Sequence, residues 1–257
     1  MIITYKDTAV FYTDEGAGTP IVLLHGFLEN SRMWQSLLPV LTKTNRVICI
    51  DLLGHGHTGC LGYIHTMELM AETVQAVLNH LNIQQSIFIG HSMGGYVALA
   101  FMENNPQAVL KLCLANATAK PDTPERQANR DRAILAVKKN HTIFVRMAVG
   151  NLFTAKNQHL RAPQIEAVKT EALKTPVQGI IAALEGMKVR KNRTDILKEA
   201  NIPKLFILGE QDTVIPSKSS ILEAKQTQTN YVMFPDGHMS YIENETLFLN
   251  EIMRFIE

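Results

Sequence analysis

Three features of this 257-residue chain predict an α/β fold with a mostly parallel sheet. Short apolar or β-branched runs alternate with longer amphipathic stretches over most of its length. The runs at 21–24, 47–50 and 87–89 are apolar at every position, the pattern of strands buried on both faces. The last of these leads straight into Gly90-His91-Ser92-Met93-Gly94 and then into a helical pattern. Such a strand–turn–helix junction is so tight that side chains at its two glycine positions would meet the neighbouring strand and helix.

The elements follow in order. Residues 2–5 and 9–13 are β-rich and separated by Lys6-Asp7-Thr8, which predicts an N-terminal hairpin. Residues 16–20 make a turn before the first buried strand. Ser31 is placed to cap a helix through Lys43, with Met33, Trp34, Leu37, Leu38 and Leu41 on one face. After the strand at 47–50, Thr66 caps a helix to about Leu81. Its apolar positions Met67, Met70, Val74, Val77, Leu78 and Leu81 keep the helical period. A strand at 87–89, a helix continuing through 96–102 and a strand at 109–114 come next.

From 119 to 196 the strand signal stops, and helices are predicted at 124–138, 141–150, 163–174 and 176–187. Alternation resumes with a strand at 204–208, a helix after Pro216, a strand at 231–234 and a final helix from about 245. The predicted organisation is a core domain, 1–118 and 197–257, interrupted after its sixth or seventh strand by a helical cap, 119–196.

Composition narrows the function. The chain is 46% hydrophobic and 19% charged, with a net charge of +1, the balance of an ordinary globular protein. No apolar run approaches the ~18–20 residues that span a bilayer. Met1-Ile2-Ile3-Thr4-Tyr5-Lys6 enters a strand without the features of a signal peptide. Cys49, Cys60 and Cys113 are odd in number and far apart, which argues for a reducing cytoplasm and against a zinc site. No basic cluster interleaved with aromatics suggests nucleic-acid binding.

A serine hydroxyl is a weak nucleophile at neutral pH. It needs a base within hydrogen-bond reach, and the base needs a carboxylate to hold it. In α/β folds such groups sit on loops at the C-terminal ends of strands. The Gly90–Gly94 junction would expose the Ser92 Oγ as the nucleophile. His238, in Pro235-Asp236-Gly237-His238, is the candidate base. Asp212, in Gly209-Glu210-Gln211-Asp212, is the candidate acid. Glu210 is its main rival, while Asp236 is expected to make a local turn bond. His91 adjoins Ser92 and is expected to point away from it. His25, His55 and His57 sit at strand ends and compete for other roles in the site. His80, His141 and His159 lie in helical stretches.

Met93 N–H opens the helix after Ser92, where it has no intrahelical partner, and is a candidate oxyanion donor. Phe27 N–H, in His25-Gly26-Phe27 after the first buried strand, is the candidate second donor. If that segment is only a strand-ending turn, His25 bonds nearby backbone instead. The segment 51–58, Asp-Leu-Leu-Gly-His-Gly-His-Thr, reads as a structural loop, without the third ligand that would make His55 and His57 a metal site.

Taken together, the motifs at 25–27, 51–58, 90–95, 208–212 and 237–238 resemble the α/β-hydrolase fold superfamily. Within it the chain is similar to small carboxylesterases and to pimeloyl-[acyl-carrier-protein] methyl ester esterase-like hydrolases. The resemblance covers everything except 119–196, which corresponds to the variable cap. It implies an eight-stranded sheet with helices on both faces, the second strand antiparallel, and a helical lid. It also implies the chain order nucleophile, acid, base found here as Ser92, Asp212, His238. A Ser nucleophile disfavours the epoxide-hydrolase and dehalogenase branches. Phe27 stands where perhydrolase-type relatives often have Trp.

The expected activity is therefore cofactor-free hydrolysis of a small-molecule carboxylic ester. Two alternatives keep the same triad: a carbon–carbon bond hydrolase or menaquinone-pathway-type lyase, and a ligand receptor with slow residual hydrolysis. Phe27, Phe144, Met147, Phe153 and Leu184 are candidates to line the substrate pocket, although the amphipathic spacing of the cap residues fits packing equally well. The cap carries 15 basic and 7 acidic residues, a net +8, against −7 for the rest of the chain. A basic lid on an acidic body would steer an anionic or carrier-protein-bound ester to the entrance; solvated helix faces are the plainer reading.

Overall fold

In the computed structural model, which describes residues 1–257, the predicted hairpin is β1 (Ile2–Tyr5) paired antiparallel with β2 (Thr8–Gly16). Its two-residue loop, Lys6-Asp7, has positive φ at both positions, 47° and 60°, the geometry that matches the twist of the strands it joins. β3 (Thr19–Leu24), β4 (Asn45–Ile50), β5 (Ser86–His91), β6 (Val109–Ala115), β7 (Lys204–Gly209) and β8 (Asn230–Phe234) complete an eight-stranded sheet. Its order is β1-β2-β4-β3-β5-β6-β7-β8. β2 is antiparallel to both its neighbours, and β3 through β8 are mutually parallel. The apolar runs read from the sequence form its centre: residues 21–24 and 47–50 are almost entirely inaccessible.

The strand order reverses between β3 and β5. The chain leaves β3 toward β4 on one side, then returns to lay β5 on the other, so the loops after β3 and β5 diverge and leave a crevice at the carboxyl edge. That edge carries Phe27, Ser92, Asp212 and His238, after β3, β5, β7 and β8 respectively.

The helix expected from Ser31 through Lys43 is broken. Ser31–Trp34 is a 3₁₀ turn capped by Asn30, whose side chain accepts the Arg32 N–H, and α1 spans only Leu38–Leu41. Pro39 has no N–H to continue a helical ladder from the preceding turn. α2 (Met67–His80) begins at its predicted cap, with Thr66 Oγ1 accepting the Leu69 N–H at 3.1 Å. α3 (Met93–Asn104) follows Ser92 directly.

All of the predicted insertion lies between β6 and β7, after the sixth strand. It contains α4 (Pro124–Lys139), α5 (His141–Gly150), α6 (Ala155–Leu160), α7 (Ala162–Ala172) and α8 (Val177–Lys188), and its end falls within α9 (Thr194–Glu199). α6 gives no periodic signal in the sequence and stands on its cap, Thr154, whose side chain accepts the Asn157 N–H. α8 lies directly on the 54–65 loop. A Cβ on Gly179 would run into the Gly54 carbonyl, and one on Gly186 into the His65 carbonyl. Arg193, buried, ties the end of the insertion to the core through Glu68 at 2.6 Å and Glu103 at 2.9 Å. The chain ends with α10 (Ser217–Gln226), α11 (Ser240–Glu243) and α12 (Glu245–Ile256). No helix is long and apolar enough to cross a membrane.

Candidate active site

Ser92 sits between β5 and α3 with φ 49° and ψ −114°, a conformation that costs a non-glycine residue about 1–3 kcal/mol. The glycines around it permit the turn by close approach. A Cβ on Gly90 would lie 2.5 Å from the Gly94 carbonyl oxygen, and one on Gly94 would strike the Leu24 carbonyl in β3. Gly95, which the sequence reading did not single out, is equally constrained, with its Cβ position 2.5 Å from the Ala117 Cβ.

The three residues separated by up to 146 positions meet. His238 Nε2 is 2.9 Å from Ser92 Oγ, and His238 Nδ1 is 2.8 Å from Asp212 Oδ2. With Nδ1–H donating to the carboxylate, Nε2 is left to accept the serine proton. Asp212 is fixed from the other side, its Oδ1 accepting the Val214 and Ile215 N–H groups, both at 2.8 Å. Burial pushes the Asp212 carboxyl up, but the His238 ring and these donors pull it below the usual carboxylate range, so it is ionised at neutral pH. Of the competing acids, Glu210 is exposed and Asp236 is half-buried, and neither side chain bonds His238. Met93 N–H opens α3, and neither it nor Phe27 N–H donates to a protein acceptor.

A family model of the alpha/beta hydrolase fold matches residues 19–245. The chain belongs to the α/β-hydrolase fold family. Among solved structures it is similar to a malate-bound thermophilic esterase from Thermogutta terrifontis, with 30% identity, 97% of this chain and 93% of that one covered, and a TM-score of 0.91. It is 23% identical over 259 residues to the pimeloyl-[acyl-carrier protein] methyl ester esterase of Aliivibrio salmonicida, covering 97% of each. It is also 28% identical over 251 residues to the dihydrolipoyllysine-residue acetyltransferase component of the acetoin cleaving system of Pseudomonas putida; it spans 64% of that protein's length.

Around the three residues, this α/β hydrolase has polar groups that sequence spacing did not reveal. Buried Glu29 accepts the Gly26 N–H at 2.6 Å, the His91 ring Nδ1–H at 2.8 Å and the Tyr241 hydroxyl at 3.2 Å. The other ring nitrogen of His91 lies 3.0 Å from the His238 carbonyl. His91 thus points away from Ser92 Oγ, as expected, but it links the turn before Phe27 to the loop that carries His238. An acceptor at each nitrogen favours the imidazolium form. Burial works against its charge, yet Glu29 and the carbonyl carry its pKa above the ordinary value.

Gly26 serves this arrangement by size rather than by a special φ. A Cβ there would sit 2.5 Å from Glu29 Oε2 and 3.2 Å from Ser92 Cβ. Glu243 holds the His238 loop from outside, accepting Gly237 N–H at 3.0 Å and Met239 N–H at 3.2 Å on one oxygen. Its other oxygen takes Thr154 N–H at 3.0 Å and Asn157 Nδ2–H at 2.9 Å from the insertion. Asn116 Nδ2 donates to Asp212 Oδ2 at 3.0 Å and to the Gly237 carbonyl at 3.2 Å.

His25 and His55 bond backbone groups of the neighbouring loops. His25 Nε2 accepts the Leu52 N–H at 2.8 Å and its Nδ1–H meets the Gly26 carbonyl at 2.7 Å, so the ring braces the turn that presents Phe27. His55 donates to the Leu53 carbonyl at 3.0 Å. Asp51 accepts Ser31 N–H at 2.7 Å and His57 N–H at 2.8 Å, closing the 51–58 segment as the structural loop expected.

A cleft of about 440 Å³ opens over Ser92 and His238. Phe27 and Leu184 line it, as expected, together with Tyr96, Ala148, Leu152 and Met187. Phe144, Met147 and Phe153 do not. Met147 is 62% exposed, Phe153 is buried in the hydrophobic core and Phe144 packs against that core. α5 presents Ala148 to the cleft instead. Helical periodicity shows that α5 has an apolar face without saying which neighbour that face meets.

Proposed function

We propose that this hydrolase cleaves carboxylic esters through an acyl-enzyme, with no cofactor. The observation that carries the reading is the unbroken hydrogen-bonded chain Ser92 Oγ–His238–Asp212. In it, Ser92 attacks the ester carbonyl as His238 takes its proton. Asp212 keeps the ring oriented and stabilises the imidazolium, and the proton then passes to the leaving alkoxide. Phe27 and Met93 N–H groups receive the oxyanion of the tetrahedral intermediate. Water, deprotonated by His238, releases the acid. Residues 119–196 act as a cap that supplies one wall of the cleft over the 1–118 and 197–257 core. Similarity to esterases supports the ester as substrate, and three free thiols support a reducing, cytoplasmic setting.

The test is labelling by a fluorophosphonate, followed by hydrolysis of 4-nitrophenyl esters. Ser92→Ala is expected to abolish labelling and the burst of nitrophenol, and Asp212→Asn to lower kcat by about 10⁴. Absence of labelling in the wild-type protein overturns the reading. Labelling without ester turnover, but with cleavage of a carbon–carbon bond or elimination of pyruvate, moves the same triad to another reaction.

A further inference from the structure

The cleft lining is not uniformly apolar. Successive turns of α4 bring Arg126, Asn129 and Arg130 to it, positions that share one helix face. Both arginines are held by Asp122, whose side chain is fully buried, and so is a third, Arg190. The partners of Arg190 are all internal. It also donates to the Lys120 carbonyl at 3.0 Å and the Met187 carbonyl at 3.1 Å, and its guanidinium lies 4.3 Å from the Tyr96 ring centroid.

The two arginines on the cleft are less fully engaged. Arg130 bonds Asp122 through Nε and Nη2, and no protein acceptor meets its Nη1. Arg126 gives Nη1 to the Val214 carbonyl at 2.9 Å and forms an ion pair with Asp122, Nε to Oδ1 at 3.2 Å, leaving Nη2 without a protein acceptor. Asp122 therefore locks two guanidinium forks in place with donors to spare. Three guanidinium groups against Asp122 and the exposed rim residue Glu125 leave one positive charge, the complement of one carboxylate.

We propose that Arg126 and Arg130 form a carboxylate subsite, so that the ester cleaved at Ser92 carries a second, free carboxylate. This rests on the ester-hydrolase reading and names its substrate class. An anion held by a pre-oriented pair of forks binds through short, charge-assisted bonds, while the apolar residues between the arginines and Ser92 take the connecting chain.

The experiment compares matched esters in two arms. In the first, 4-nitrophenyl monoesters of adipate and suberate are set against 4-nitrophenyl hexanoate and octanoate. In the second, the carboxylate is on the alcohol side, as hexanoate esters of 4-hydroxybutyrate against butyl hexanoate. Wild-type protein is expected to favour the anionic member in one arm by about tenfold in kcat/KM, mainly through KM, as for one charged hydrogen bond in a partly hydrated site. The favoured arm tells which side of the ester faces α4. Arg130→Gln and Arg126→Gln should each erase most of the preference, and exposed Lys138→Gln should leave it intact.

Neutral esters turned over as well as the anionic ones in both arms would overturn the subsite while leaving the ester-hydrolase reading standing. No turnover of any ester, with no labelling of Ser92, would instead sink that reading. A preference abolished equally by Lys138→Gln would also overturn the proposal, because it would place recognition in the general field of the cap. So would an Arg130→Gln variant that slows both members of a pair alike, because it would leave Arg130 only a structural part.

Discussion

Replacing Glu29 by Gln tests whether the buried Glu29–His91 pair aligns the catalytic loops or merely holds the fold. The substitution keeps size and one acceptor and removes the charge. Breaking a buried ion pair from one side costs about 3–5 kcal/mol. Here the cost is smaller, because His91, deprived of its partner, sheds its proton: burial, the largest influence on the ring, is then no longer offset by Glu29 and pushes its pKa down. A loss of roughly 2–3 kcal/mol in unfolding free energy is expected. A neutral His91 has a single N–H, which serves either residue 29 or the His238 carbonyl but not both. Either the Gly26–Phe27 turn or the base loop is then released. Displacing one oxyanion donor costs about 10²–10³ in rate, and a loosened donor should cost toward the lower end of that range, in kcat rather than KM.

The assay is kcat for a neutral 4-nitrophenyl ester, measured well below the melting temperature, beside urea unfolding. The two proteins should also differ in pH dependence. Glu29 lies below its ordinary carboxylate value and His91 above its own. The pair's contribution to stability is therefore full between about pH 4.5 and 6.5. It fades as pH falls through the depressed Glu29 value, and also as pH rises through the elevated His91 value. The stability gap between wild type and Glu29→Gln should narrow on both sides. A variant less stable by the expected amount, yet within about threefold of wild-type kcat, would refute the positioning role and leave the pair a structural element.

Three other outcomes follow from the same geometry. Asn116→Gly, which tolerates the positive φ of 48° at that position, removes two bonds to the acid and base loops and should lower kcat about tenfold, by the worth of a charged hydrogen bond; unchanged kcat would show that Val214 and Ile215 N–H suffice to hold Asp212. Gly94→Ala drives a methyl group into the Leu24 carbonyl and should destabilise by more than about 4 kcal/mol, seen as loss of a cooperative urea transition. His55, whose pKa burial and neighbouring His25 push down to about 3, stays neutral in the folded protein while its unfolded counterpart protonates below pH ~6.5, so acidification from pH 7.5 to 5 should remove about 2 kcal/mol of stability, with buried His65, lowered to about 4, adding in the same direction; a urea midpoint that stays constant over that range would contradict this.

The sheet was legible because its signal is local. Four consecutive apolar residues at 21–24 or 47–50 have few alternatives to a doubly covered strand, and Thr66 followed by a clean 3.6-residue period marks α2 at its cap. The segment 31–43 failed for an equally local reason: its apolar spacing is helical, but Pro39 interrupts the ladder that spacing would use. The hydrogen-bonded trio Ser92, His238 and Asp212 was legible because the chemistry expected of it restricts the residue types and the parallel topology restricts where they sit, on loops following β5, β7 and β8. Glu29 had no such advantage. In Leu28-Glu29-Asn30 it looks like any exposed loop acid, and its partners Gly26, His91 and Tyr241 are up to 212 positions away. Glu243 and Asn116 were hidden in the same way, as single polar residues whose role exists only once distant loops have met.

These hidden carboxylates also change what the charge count means. Glu29, Asp51, Asp212, Glu223 and Glu243 all belong to the acidic body, and all are buried. Each accepts one or more loop N–H groups that have no place in the sheet or helix ladders: Gly26 on Glu29, Ser31 and His57 on Asp51, Val214 and Ile215 on Asp212, Ala119 on Glu223, Gly237 and Met239 on Glu243. A site assembled from irregular loops leaves many such donors, and a buried donor without an acceptor is costly. Five of the body's 17 acidic residues are thus internal, a consequence of building the carboxyl edge from loops, and they add little to an outward field. On the cap, several of the basic residues are paired as well, Lys188 with Asp131 and Glu185, Lys169 and Arg146 with Glu166, Lys174 with Glu171. The +8 against −7 contrast therefore overstates long-range steering. Under the proposed subsite, the charge that bears on an anionic ester is the local surplus at Arg126 and Arg130, whose side chains are only 30% and 14% exposed, so salt screens them less than the solvated lysines of the cap.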